Sequence, residues 1–124
     1  MQLFCKMYLD MDGSVRDVNQ LVRTILDGKS EDDAMISTSV CSIYIDENDE
    51  FDEVMRTTPA DGFLYYRYFL DIEPVDGVIR GSYVQALSHL LRGLRKNGCK
   101  VVPACDFEDE LPKALCPLRN YGDF

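Results

Sequence analysis

Apolar and polar residues alternate with a period of two in several short stretches of the chain, a pattern typical of half-buried β-strands. The first two strands are predicted from this alternation, the third from its density of aromatic residues without Gly or Pro, and the fourth from its short β-branched run. Pro103 lies in the fourth stretch, and a proline removes one donor from the sheet ladder, so this strand is expected at an edge. The predicted strands cover residues 3–11, 39–45, 63–72 and 99–105.

Two further stretches carry apolar residues at helical spacing and predict helices over residues 14–27 and 81–97. Ser14 is a suitable N-cap for the first helix, and Gly98 suits the left-handed end of the second. The polar, acidic stretch 29–38 is predicted to be a loop.

The resulting order β-α-β-β-α-β predicts an α+β fold, the ferredoxin-like plait. This is a four-stranded antiparallel sheet with both helices on one face, in which the first and third strands are central. The 124 residues form a single domain by length, with a core over about 2–110 and a C-terminal tail from 111 to 124. An α+β sheet in which the tail adds another short element is the alternative.

If the helices cover one face of this sheet, strand alternation assigns residues to each face. The helix-covered face would carry Leu3, Cys5, Met7, Leu9, Cys41, Ile43, Ile45, Leu64, Tyr66, Tyr68 and Leu70. Aromatic residues and one arginine remain for the open face, and these residue types are enriched at interface centres. The open face would therefore bind a partner, or be covered by a second copy or by the tail. Its residues would be Phe4, Tyr8, Tyr44, Tyr65, Arg67 and Phe69.

The formal net charge of -9, from 22 acidic and 13 Lys and Arg residues, favours basic partners and disfavours nucleic acid and anionic membranes. RNA-recognition domains also present aromatics on an open sheet, but they add basic residues to bind phosphates. No apolar run approaches the ~20 residues of a membrane helix, and no signal peptide is visible, so a cytoplasmic protein is expected.

No catalytic motif is visible, and we expect neither an enzyme nor a bound cofactor or metal. The single histidine, His89, lies on the polar face of the second predicted helix. A calcium loop starting at Asp46 is disfavoured because Phe51 and Thr57 replace the required Gly and Glu. Asp71 and Glu73 are the carboxylate pair that a less favoured enzymatic function would use. The five cysteines are odd in number, lack CxxC spacing and are predicted to be reduced and structural: Cys5, Cys41, Cys99, Cys105 and Cys116.

The stretches YFLDIEP (68–74) and VVPACDFEDELP (101–112), in a small acidic chain, resemble bacterial immunity proteins of polymorphic-toxin and contact-dependent inhibition systems. That resemblance implies a cytosolic inhibitor that binds a cognate toxin domain, often a basic nuclease. A small regulatory or self-associating protein is the alternative.

The predicted partner-binding residues are two acidic clusters and the open-face residues between them. Both clusters were expected at one end of the sheet, where they would flank a basic partner. Aromatic anchors would slow dissociation, and exposed acids would speed association. The set is Tyr44, Asp46, Glu47, Asp49, Glu50, Asp52, Glu53, Tyr65, Arg67, Phe69, Asp106, Glu108, Asp109 and Glu110.

Overall fold

A computed structural model describes residues 3–113 of the chain and is an α+β fold with two helices and one antiparallel sheet. The strands are β1 (Cys5–Asp10), β2 (Lys29–Asp32), β3 (Met35–Ser37), β4 (Cys41–Glu47), β5 (Tyr68–Pro74) and β6 (Lys100–Ala104). The helices are α1 (Val15–Leu26) and α2 (Arg80–Lys96). Neither helix of the described part is both long and apolar enough to cross a bilayer.

The sheet has six strands, in the order β2-β3-β4-β5-β1-β6, so the prediction of four strands is wrong. The predicted loop 29–38 forms a hairpin that pairs with β4, which is therefore internal rather than an edge. All four residues of β2 are exposed, and only Ile36 of β3 is buried, so alternation could not reveal these strands. Asn19 of α1 anchors the hairpin turn by donating to the carbonyls of Asp32 (2.9 Å) and Asp33 (3.1 Å). The predicted edge position of β6 is confirmed.

The aromatic stretch 63–72 is only partly a strand, because β5 begins at Tyr68 and a short 3-10 helix occupies Gly62–Tyr65. The side chain of the buried Asn48 donates to the carbonyls of Leu64 (2.9 Å) and Tyr66 (2.7 Å). These two carbonyl groups are therefore hydrogen-bonded to a side chain rather than to a neighbouring strand. Gly62 allows a close approach of the chain, since a Cβ there would lie 2.6 Å from the carbonyl oxygen of Arg56.

Both helices are found within one residue of their predicted ends. The Ser14 hydroxyl accepts from the Asp17 amide and the Asp17 carboxylate accepts from the Ser14 amide, a capping box that is visible in the sequence. Gly98 has φ of 85°, the left-handed conformation predicted for it. Gly93 lets the helices cross closely, because a Cβ there would lie 2.7 Å from Ile25.

One hydrophobic core combines both helices with a single face of the sheet. Inward-facing residues of β1, β4 and β5 are buried as predicted, but Leu64 is 40% exposed and Tyr66 is half-buried. Leu111, predicted to begin the tail, is only 4% exposed and belongs to the core. Burying a large apolar side chain contributes about 1.5–3 kcal/mol, so this face of the sheet dominates stability. The remaining tail residues, including Leu115, Leu118, Tyr121 and Phe124, lie outside the described residues.

Candidate functional site

The sheet face opposite the helices carries an aromatic cluster at its centre. Tyr8 of β1 makes edge contacts with Phe63 (5.2 Å between ring centroids) and with Phe69 of β5 (6.4 Å). The ammonium group of Lys6 lies 4.1 Å from the centroid of Phe69, a cation–π distance. Phe4, 57% exposed, extends this apolar surface.

Phe69 and Tyr65, two predicted anchors, line the same groove of about 360 Å³. The strand brings one side chain to the groove and the 3-10 helix brings the other. Glu50 lies at the border of the groove, and Tyr8 and Phe69 of the aromatic cluster line it. The complete lining is Lys6, Tyr8, Asn48, Glu50, Leu64, Tyr65 and Phe69. Lys6 and Leu64 were not among the predicted interface residues. Leu64 was assigned to the helix-covered face.

Tyr44, the third predicted anchor, lies on β4 and is 37% exposed. Its hydroxyl donates to a carboxylate oxygen of Glu73 at 3.2 Å. The negative charge of Glu73 raises the pKa of Tyr44, so the phenol stays protonated and keeps this bond. Tyr44 is therefore oriented by its neighbour on β5 before any partner binds.

A pair of carboxyl groups, Asp46 on β4 and Asp71 on β5, lies on the same face. Burial raises the pKa of Asp71, the nearby Lys6 opposes that rise, and the charge and hydrogen bond of Asp46 add to it. Ionisation of Asp71 is therefore disfavoured beside the aromatic cluster.

The first acidic segment, residues 46–53, follows β4 and is folded by its own side chains. Asn48 accepts from the Glu50 amide (3.0 Å), and Asp52 accepts from the amides of Val54 (2.9 Å) and Met55 (2.8 Å). Glu53 pairs with Arg56 at 3.6 Å. All six predicted acids of this segment are exposed, but Asp52 and Glu53 have these partners and Asp46 is hydrogen-bonded to Asp71.

This segment is tied to the sheet by a partly buried ion pair. Arg56 donates to both carboxylate oxygens of Asp10, at 2.9 and 3.1 Å, and these side chains are only 24% and 11% exposed. The guanidinium of Arg67, another predicted interface residue, lies 4.3 Å from the ring centroid of Phe51. Its Nε is buried and has no hydrogen-bond partner among the described residues. Arg67 is thus half-buried beneath the segment rather than displayed on the open face.

Exposed apolar side chains lie next to the acids of the first segment, and they are not among the predicted interface residues. Val54 is 73% exposed, Met55 39% and Leu64 40%. The 3-10 turns that contain Met55 and Leu64 pack against each other. The sequence shows Val54 and Met55 directly after the acids, but their exposure depends on the tight turn that Asp52 caps.

The second acidic segment, residues 106–110, lies at the opposite end of the sheet. Strand β4 ends at Glu47, which pairs with Tyr68 of β5. Tyr68 in turn pairs with Leu9 near the end of β1. Strand β6 ends at Ala104, which pairs with Lys6 near the start of β1. The prediction that both strands exit at one end is therefore wrong.

Several acids of the second segment have basic partners. Glu110 forms two hydrogen bonds with Arg80, which lower the pKa of Glu110, and Asp109 lies 3.8 Å from Lys113. Asp106 and Glu108 are exposed. The structure therefore does not bring these four residues together with the first segment or with the open-face aromatics.

A larger cleft of about 540 Å³ lies at the β1 and α2 C-termini and was not predicted as a site. Its lining includes the ion pair between Asp10 and Arg56. His89 is exposed and its Nε2 is 3.1 Å from the Ile25 carbonyl at the helix contact. Within residues 3–113, no three His, Cys, Asp or Glu side chains are placed to bind one metal ion.

Comparison of the chain with protein-family models, curated proteins and solved structures gives no match. The functional proposal therefore depends on the geometry of this surface.

Proposed function

We propose that this chain is an immunity-type inhibitor: a binding protein that captures a basic toxin domain, a nuclease being the favoured class. It would act in the cytoplasm through the open sheet face and the adjoining first acidic segment. The observation that carries this proposal is the groove in which Tyr65 and Phe69 meet beside Glu50.

The composition of this surface supports protein binding. Aromatic residues at the centre offer area that can be desolvated, and such anchors carry most of the binding energy in protein interfaces. Exposed acids at the border, chiefly Asp49 and Glu50, would attract a basic partner and speed its association.

The internal hydrogen bonds of the first segment support the same role. Asn48 and Asp52 fix the backbone that carries the exposed acids and Val54 before a partner arrives. A pre-organised surface loses less conformational freedom on binding and can therefore bind more tightly. The proposed interface accordingly includes Val54, Met55 and Leu64 and leaves out the second acidic segment.

Growth rescue tests the proposal. The candidate partner is sought among neighbouring genes that encode a toxin-like C-terminal domain, and it is expressed in bacteria with and without this chain. We expect growth only with the chain, and loss of rescue with the double variant Tyr65→Ala Phe69→Ala. The matched control, Asp106→Lys Glu108→Lys, should still rescue.

Two results would count against this function. A folded Tyr65→Ala Phe69→Ala variant that rescues fully would place the interface elsewhere. Toxicity unchanged by the wild-type chain would remove inhibition of that partner altogether.

Self-association through the same face is the second candidate, because Phe4 and Tyr44 are exposed on it. Analytical ultracentrifugation at dilute concentration separates the two. A stable dimer that Tyr65→Ala Phe69→Ala dissociates would favour a self-associating protein, whereas a monomer would favour the inhibitor.

We further infer that the fold is a ferredoxin-like plait extended by the β2–β3 hairpin. The support is the partial order β4-β5-β1-β6, which places the first and third strands of the β-α-β-β-α-β series at the centre. An experimental structure with α1 and α2 on opposite faces would contradict it.

A further inference from the structure

Two cysteines face each other across the β1–β6 pair at the end of the sheet. Cys5 is the first residue of β1 and is 2% exposed, while the half-buried Cys105 directly follows β6. The antiparallel register pairs Met7 with Pro103 and Lys6 with Ala104. Continuing that register by one residue places Cys5 opposite Cys105, and the two thiols are close enough for each to influence the pKa of the other.

This placement matches what a disulfide requires. Directly opposed residues of antiparallel strands have Cα atoms about 4.5–5.5 Å apart. Disulfides span Cα separations of about 4.4–6.8 Å, so either type of antiparallel pair is compatible with a bond. Opposed residues also project to the same side of the sheet, which directs both thiols toward each other.

We propose that Cys5 and Cys105 form a reversible disulfide when the protein meets a low-molecular-weight disulfide such as oxidised glutathione. The reduced form, in which the four cysteines of residues 3–113 are free, is the one the structure describes. Oxidation would join the edge strand β6 to the central strand β1.

The other described thiols are poorly placed to compete. Cys41 lies on β4, which β5 separates from β1, and two strand spacings amount to about 9.5 Å. Cys99 precedes the opposite end of β6, about 20 Å along the strand from Cys105. Both distances exceed the ~7 Å limit for bridging without backbone movement.

The exchange proceeds in two balanced steps. The thiolate of Cys105, the more exposed of the pair, attacks one sulfur of the small disulfide and releases one small thiolate. The Cys5 thiol then loses its proton and attacks the Cys105 sulfur, which releases the second small thiolate. The protein loses two electrons and two protons, and the small disulfide becomes two thiols.

The surroundings of the pair make this exchange slow near neutral pH. Burial raises the pKa of both thiols, and the carboxylates of Glu108 and Asp106 raise that of Cys105 further. Tyr83 of α2 also faces the pair and is protonated, since burial raises its pKa. The thiolate is the attacking species, so the rate should rise with pH.

Mass spectrometry of the folded protein after incubation with oxidised glutathione tests the inference. Cys116→Ser serves as the parent, because its thiol lies outside the described residues. We expect the loss of two hydrogen atoms per chain and one cross-linked peptide that contains Cys5 and Cys105. Reduction with dithiothreitol should restore the original mass.

Variants provide the matched control. Adding Cys105→Ser to the parent should abolish the bridge, whereas adding Cys99→Ser should leave it unchanged. A bridge between any other pair in folded protein, or none after prolonged incubation at raised pH, would overturn the inference. Peptide mapping of the parent decides the matter even if Cys105→Ser fails to fold.

Discussion

The two acidic segments look alike in the sequence but differ in the folded molecule. Residues 46–53 border the aromatic groove, use Asn48 and Asp52 to fix their own backbone, and keep six carboxylates exposed. Residues 106–110 lie at the other end of the sheet, where Glu110 is paired with Arg80 and Asp109 with Lys113. One segment combines charge with apolar area, whereas two of the four acids of the other have a basic partner.

This difference shows that strand direction, not local composition, decides which charges can act together. The ends of β1 are separated by five residue steps, or about 17 Å. That distance exceeds the Debye length of about 8 Å at physiological ionic strength, so the segments act independently there. A partner on the groove would respond to the first segment and hardly to the second.

The largest expected effect comes from the ion pair that ties the first segment to the sheet. Arg56→Ala leaves the Asp10 carboxylate, 11% exposed, with the Arg67 backbone amide at 3.3 Å as its remaining donor within residues 3–113. Removing one partner of a buried pair costs about 3 kcal/mol or more, and the partial exposure here lowers that to about 2–3 kcal/mol. Urea unfolding measures the loss.

Glu110→Gln is the matched control in the second segment. Its pair with Arg80 is exposed, with both side chains 43% accessible, and exposed pairs contribute little. Equal losses of unfolding free energy in the two variants would show that the two regions do not differ in how firmly they are anchored.

The second prediction tests whether the first segment is pre-organised by Asn48. Asn48→Ala removes two bonds to the carbonyls of Leu64 and Tyr66 and one from the Glu50 amide. Leaving such buried groups unpaired should lower the free energy of unfolding by about 2 kcal/mol. Asn48→Asp replaces the donor by a carboxylate oxygen that faces these two carbonyl oxygens, and should be at least as destabilising as Asn48→Ala.

Asp49→Ala, at an exposed position of the same segment, should change stability by less than about 0.5 kcal/mol. An Asn48→Ala protein as stable as Asp49→Ala would mean that the segment folds without its buried amide.

The third prediction compares association rates for the partner found by growth rescue. Reversing Asp49 and Glu50 to lysine should slow association about tenfold at low salt, because the acids border the groove, and less as salt rises. Reversing Asp106 and Glu108 makes the same change in net charge at the far end, so it should have a much smaller effect. Stopped-flow measurements across a salt series provide the comparison, and similar slowing by both variants would assign steering to total charge.

Periodic burial explains which parts of the fold the sequence could predict. The α1 and α2 ends, the capping box at Ser14 and the inward faces of β1 and β4 all follow from local spacing. The β2–β3 hairpin did not, because all of β2 is exposed, only Ile36 of β3 is buried, and the hairpin turn is fixed by Asn19 of α1. The start of β5 was missed because Asn48, distant in sequence, bonds the carbonyls that a strand would use.

The candidate site was predictable in its residues but not in its geometry. Tyr65 and Phe69 were selected from alternation, yet they meet because a 3-10 turn, not a strand, carries Tyr65. The opposite exits of β4 and β6 were deducible from topology, since each helix crossover returns the chain parallel to the preceding strand. Exposure of Val54 and Met55 depended on a turn cap by Asp52, for which composition gave no sign.

The smallest effect concerns the carboxyl pair on the open face. Burial, with help from Asp46, raises the pKa of Asp71 above its ordinary value of 3.8. The folded state therefore disfavours the ionised form, and this penalty is absent at low pH and grows as pH rises through the folded pKa. Asp71→Asn should then stabilise the protein at neutral pH by a few tenths of a kcal/mol, the scale of cross-strand pairs. At a pH below 3.8 the gain should vanish.

Thermal unfolding of wild type and Asp71→Asn across this pH range measures the gain. In an Asp46→Asn background the gain should shrink, because one of the causes that raise the Asp71 pKa is removed. The loss of the attraction to Lys6 works in the opposite direction, but the net rise of the pKa means that burial and Asp46 outweigh it. A variant less stable than wild type at neutral pH would show that Lys6 dominates. The open face would then keep its ionised carboxylates at no cost to folding, as the exposed acids of the first segment do.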